Sequence, residues 1–64
     1  MRVRIERTGQ TRTLRYTGTV AGLLRRLKLN PVTVLVARNG TIVPETAKVN
    51  DSDTIEVLSV VSGG

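Results

Sequence analysis

The residues with most to offer chemically stand at the end of the sequence, Gly63-Gly64, directly after the apolar run Ile55-Glu56-Val57-Leu58-Ser59-Val60-Val61-Ser62. A carboxylate carried on residues without side chains is open to close approach, because glycine lacks a Cβ and admits backbone conformations closed to other residues. An enzyme could thread such a segment through a narrow channel and reach its terminal carbon. A frayed terminus where nothing packs, or a cloning scar or truncation, would give the same ending. Elsewhere the reactive inventory is thin. Cysteine and histidine are absent from the 64 residues, which removes thiol nucleophiles, disulfides, the usual zinc ligands and the commonest general base. The acids Glu6, Glu45, Asp51, Asp53 and Glu56 include no pair with the spacing and apolar setting that would raise one pKa for acid–base work. The expectation is a non-enzyme with no catalytic residue, no metal site and no bound cofactor.

A domain of this length buries only about 60% of the surface its unfolded chain exposes, leaving little room for a deep active site. No apolar stretch approaches the roughly 20 residues of a membrane span, and no signal pattern opens the sequence, so a soluble, cytoplasmic protein is expected. The net charge of +5 raises the question of nucleic acid. Tyr16 is the single aromatic residue, however, and the basic residues are scattered rather than run together, which disfavours base stacking and favours a solvated surface.

The elements that must position the terminus follow from periodicity. Arg2 to Arg7 alternate, with Val3 and Ile5 on one face; Thr8-Gly9-Gln10-Thr11 supplies a turn, and Arg12 to Tyr16 alternate again with Leu14 and Tyr16 inward, predicting a hairpin. Thr19 is a good N-cap for a helix whose apolar stripe is Val20, Leu23, Leu24 and Leu27. Arg25, Arg26 and Lys28 complement the C-terminal end of its dipole, and Asn30-Pro31 closes it. Gly22, unfavourable inside a helix, implies close packing on the sheet or a bend. Val32 to Ala37 reads as an interior strand, Asn39-Gly40 as a type I′ turn, and Thr41-Ile42-Val43 as a short return stopped by Pro44. Val49 anchors the polar stretch that follows, and Thr54 to Val61 forms the last strand.

One helix with one apolar stripe and a sheet with one alternating face bury each other as a two-layer α+β domain. The β-grasp (ubiquitin-like) arrangement satisfies this, with a mixed four- or five-stranded sheet packed on the helix and the first and last strands parallel at its centre. Residues 1–61 form the domain, and 62–64 a flexible diglycine tail. If Ile55 and Val57 face the helix, alternation sends Leu58 and Val60 to the open face, joined by Leu35 and Ala37 and bordered by Arg2, Arg4 and Arg15. An apolar patch leading to the tail reads as a partner contact.

Leu29-Asn30-Pro31, then Asn39-Gly40-Thr41-Ile42-Val43-Pro44, Asp51-Ser52-Asp53-Thr54-Ile55-Glu56-Val57 and the final Gly63-Gly64 carry a resemblance that covers most of the chain from residue 29 onward. In their order and spacing the chain resembles the ubiquitin-like sulfur carriers of the ThiS/MoaD kind, with the small archaeal-type modifiers and the ubiquitin-related modifier. Ser52 stands where that family often has glycine. The resemblance implies that an adenylating enzyme of the ubiquitin-activating type uses ATP and magnesium to activate the Gly64 carboxylate. A sulfur donor then yields a thiocarboxylate, or a target-protein lysine forms an isopeptide bond. Gly63 and the small Ser62 would thread the partner's channel. The alternatives are a basic β-grasp module for nucleic acid, or an adaptor that uses the open-face patch and not the tail.

Overall fold

The computed structural model describes residues 1–59, so Val60, Val61, Ser62, Gly63 and Gly64 lie outside the described residues, as does the expected boundary between domain and tail. Strand β1 (Arg2–Ile5) alternates as its sequence requires: Val3 and Ile5 are buried, Arg2 and Arg4 exposed. Strand β7 (Thr54–Ser59) runs parallel to it with Val3 opposite Ile55 and Ile5 opposite Val57, so four aliphatic side chains line one face of the sheet centre. Strands β2 (Gln10–Thr13), β4 (Val34–Arg38) and β5 (Thr41–Val43) complete a five-stranded sheet in the order β2-β1-β7-β4-β5, antiparallel except at the central pair. Helix α1 (Val20–Arg26) buries Val20, Leu23 and Leu24 against the inner face. This is the β-grasp arrangement.

Three local features differ from the sequence expectation. The first turn spans Glu6 to Gly9, with Gly9 at positive φ and its amide bonded to the Ile5 carbonyl, so the hairpin closes two residues earlier than the turn residues suggest. Consequently β2 ends at Thr13 with all four of its side chains exposed, and Leu14 and Tyr16 pack against the core from the connection beyond it. Next, the helix stops at Arg26, before Asn30-Pro31 is reached. Lys28 takes a left-handed conformation, φ 60°, while the Leu29 and Lys28 amides bond the Leu24 and Arg25 carbonyls, a Schellman cap with Leu29 packed back on the core. Finally, Gly22 packs against Tyr16 rather than the sheet: a Cβ there would overlap the Tyr16 hydroxyl.

Two residues on each side form a small ribbon that periodicity cannot reveal, β3 (Gly18–Thr19) with β6 (Lys48–Val49). It delivers Thr19 to the helix start, where its hydroxyl accepts the Gly22 amide at 3.2 Å, and it seals the fully buried anchor Val49 beneath the helix. Tyr16 locks the same corner. Its hydroxyl donates to the Thr19 carbonyl at 2.8 Å, and the Arg26 guanidinium lies over its ring.

Candidate functional site

The strand that precedes residues 60–64 in the sequence is β7. Hydrogen-bonded on one side to β1 and on the other to β4, this strand cannot tilt without breaking two ladders. Its beginning is fixed by the residues between Asn39 and Thr54. The two-residue turn places Asn39 at φ 50° and Gly40 at φ 87°, the positive pair that a type I′ hairpin needs. That conformation aims the Asn39 side chain at β7: its Oδ1 accepts the Thr54 amide at 2.9 Å, and its Nδ2 donates to Asp53 at 3.1 Å. The other Asp53 oxygen accepts the Asn50 amide at 2.9 Å, and the Asn50 side-chain oxygen accepts both the Ser52 amide and its hydroxyl. The Asn50 amide bond is the main cause holding the Asp53 carboxyl below its ordinary value; desolvation opposes it, and the Asn39 amide and Arg38 charge assist. The motif residues behind the resemblance in this stretch are therefore braces, at the Thr54 end of β7. Ser52 needs no positive φ here, which explains how serine replaces glycine.

At the other end of the described strand Ser59 lies opposite Val34. On the outer face Leu58 pairs in register with Leu35, which is 45% exposed. Ile42, 51% exposed, extends this surface, and Val32, at 81%, stands on the 3-10 turn Pro31–Thr33 that leads into β4 beside Ser59. Ala37 shares the face but is only 5% exposed: its methyl lies between the longer Ile42 and Glu56, its partners on either side, so it adds no contact area. Val60, the other apolar residue expected here, lies outside the described residues. Ile42 was within reach of sequence reasoning, since a two-residue turn at Asn39-Gly40 forces Ala37 opposite Ile42. Val32 carried no such signal, because the expected strand began there.

The arginines divide. Arg4 faces Glu56 across the parallel pair and binds it at 3.0 Å, a surface ion pair worth no more than about 1 kcal/mol, two residues short of Leu58. Arg2 sits beside Thr54, about 13 Å from Leu58 along the strand at ~3.3 Å per residue. Arg15 does not border the patch at all. Antiparallel β2 carries the chain away from Leu58, and Arg15 lies beyond Thr13 in a hollow with Met1, Leu14 and Asp51. The two lysine amines, Lys28 and Lys48, are both on exposed stretches of the chain outside the patch.

Among the described residues no cluster of three metal-ligating side chains occurs, and no helix is long and apolar enough to cross a membrane. The described residues present a partly apolar outer face around Leu35, Ile42 and Leu58.

The sequence profile of the ThiS family matches residues 3–64, nearly the whole chain and through the diglycine. The chain belongs to the ThiS family. The sulfur carrier protein TtuB of Thermus thermophilus is 43% identical over 42 residues, covering 66% of this chain and 65% of that protein. The chain thus aligns with a little under two thirds of that relative's length. Among solved structures, the thiamine biosynthesis protein ThiS from Geobacter metallireducens matches over 100% of both chains with a TM-score of 0.67 and 27% identity. Full-length agreement with a ThiS structure places the sheet order and the single helix in that family's fold.

Proposed function

We propose that this chain is a ubiquitin-like sulfur carrier, acted on by an adenylating enzyme, whose reacting atom is the Gly64 carboxyl carbon. The observation that supports it best is the family match running to residue 64, combined with a central strand that precedes that segment in the sequence and carries a partly apolar outer face.

A carboxylate is a poor acyl donor because its leaving group would be oxide. The partner enzyme, holding ATP and magnesium, lets a Gly64 oxygen attack the α-phosphorus and expel pyrophosphate, leaving an acyl-adenylate. The terminal sulfur of a persulfide then attacks the carbonyl carbon and AMP departs. A second thiol reduces the resulting acyl disulfide, releasing the thiocarboxylate as a nucleophile for a sulfur acceptor. A lysine amine of a target protein attacking the same adenylate gives an isopeptide bond instead. Gly63 and Ser62 let the segment thread the partner's channel, and Val32, Leu35, Ile42 and Leu58 seat the partner on the outer face. The chain supplies the reacting carbon and the handle; the catalytic groups belong to the partner.

The test is reconstitution with an adenylating enzyme of this type, ATP, magnesium and a persulfide donor, read by intact mass. A product shifted by one oxygen-to-sulfur exchange, absent when Gly64 is deleted, is expected. An unchanged mass with an enzyme that charges another carrier of this family would refute the proposal.

A further inference from the structure

On the inner side of β7, behind the outer patch, the described residues leave a recess beside Ser59. A hollow of about 210 Å³ has an apolar floor that includes Ile5, Leu27, Leu29 and Val57, with Ser59 at its margin. Its rim carries Arg7, from the first turn, and Arg12, from edge strand β2. No carboxylate lines it among the described residues. Glu6 neighbours Arg7 in sequence but is not part of the lining, Glu56 is on the outer face paired with Arg4, and Asp51 and Asp53 belong to the far end. Arg26 is turned away, over the Tyr16 ring, and Arg4–Glu56 is the only salt bridge among the described residues. Two arginines thus rim an apolar opening, and no acid among the described residues lines it.

The dimensions narrow the occupant. At about 210 Å³ the hollow is below the 300–1,000 Å³ of pockets that enclose small molecules, and it matches one or two inserted side chains. A phosphate backbone would gain from the guanidinium groups but nothing from an aliphatic floor, and no aromatic ring lines the hollow for a base to stack on. We infer that this flank is the docking site for an acidic protein segment carrying an aliphatic anchor, which seats in the hollow while its carboxylates face Arg7 and Arg12. Because β7 separates this site from the outer patch, both can be occupied at once. The assignment of this segment to the protein that receives the sulfur rests on the function proposed above; the binding surface itself does not.

The experiment needs no activating enzyme, so its failure and the failure of the sulfur-carrier reading are distinguishable. The full chain, isotope-labelled for amide NMR, is titrated with a short peptide of Glu and Asp flanking a central leucine, with its alanine-anchor and lysine-for-acid counterparts, and with oligouridylate. Shifts confined to residues 7–12, 27–29 and Ser59 are expected with the acidic leucine peptide. Affinity should fall roughly tenfold on changing the anchor to alanine, and roughly tenfold or more with the double variant Arg7→Glu/Arg12→Glu. The variant Gln10→Trp, at an exposed edge position on the rim, should also weaken binding while leaving the charge unchanged. No binding, shifts centred on Leu35 and Leu58, equal binding of the lysine peptide, or tighter binding of oligouridylate would each overturn the inference.

Discussion

Replacing Gly22 by alanine tests the corner that holds the helix start. In an unconstrained helix the change would stabilise by up to about 1 kcal/mol. Here the new Cβ would occupy the space of the Tyr16 hydroxyl. The ring must move, with an overpacking cost of ~1–3 kcal/mol. Its 2.8 Å bond to the Thr19 carbonyl, worth about 1 kcal/mol, is lost as well. These terms combine to a net loss of about 2 kcal/mol, or roughly 8–16 °C in Tm for a domain of this size. Tyr16→Phe alone should cost about 1 kcal/mol, the hydrogen bond. Within that background Gly22→Ala meets the ring carbon Cζ at 3.4 Å and the Thr19 Oγ1 at 3.5 Å, and should be within about 1 kcal/mol of neutral. Urea unfolding of the four proteins, followed by circular dichroism, gives the coupling directly. A Gly22→Ala protein as stable as the parent, or one equally destabilised with and without the tyrosine hydroxyl, would refute the reasoning.

Lys28→Gly should raise stability by about 1 kcal/mol, because it removes a side chain from the left-handed cap position; thermal unfolding reads it, and a lower Tm would contradict the Schellman assignment. Asp53 is held below its ordinary value of 3.8, so the stability it contributes is complete above that value and is lost as pH falls through its lower folded pKa. Asp53→Asn should therefore be less stable at neutral pH and show a shallower loss below about pH 4 in an acid titration. Leu35→Arg with Ile42→Arg, both at exposed positions, should leave stability within about 1 kcal/mol while adenylation kcat/KM falls roughly tenfold or more.

Much of this architecture is written in local signals. Alternation at Val3 and Ile5, the Thr19 cap, the Asn39-Gly40 turn and the lone Val49 each name their structural role, and together they lead to a sheet whose first and last strands are parallel neighbours. What escaped the sequence has physical reasons. A pairing of two residues, as between Gly18–Thr19 and Lys48–Val49, is too short to show a period. Lys28 has no intrinsic preference for a left-handed conformation; tertiary packing of Leu29 places it there. The hairpin register was set by Gly9 rather than by the later turn-forming residues. At the site, Leu35 and Leu58 were legible from alternation, whereas the burial of Ala37 depends on the size of its neighbours and the remoteness of Arg15 on where β2 stops.

The state of the Gly64 carboxyl group is read most directly by intact and C-terminal-peptide mass spectrometry of this protein isolated from its own cells. The account predicts a population whose last residue is Gly64, carrying a thiocarboxylate or joined to a lysine of another protein. A chain that continues past Gly64 in its functional form, or one that ends there and is found only as the free carboxylate while sulfur transfer is active, would contradict it.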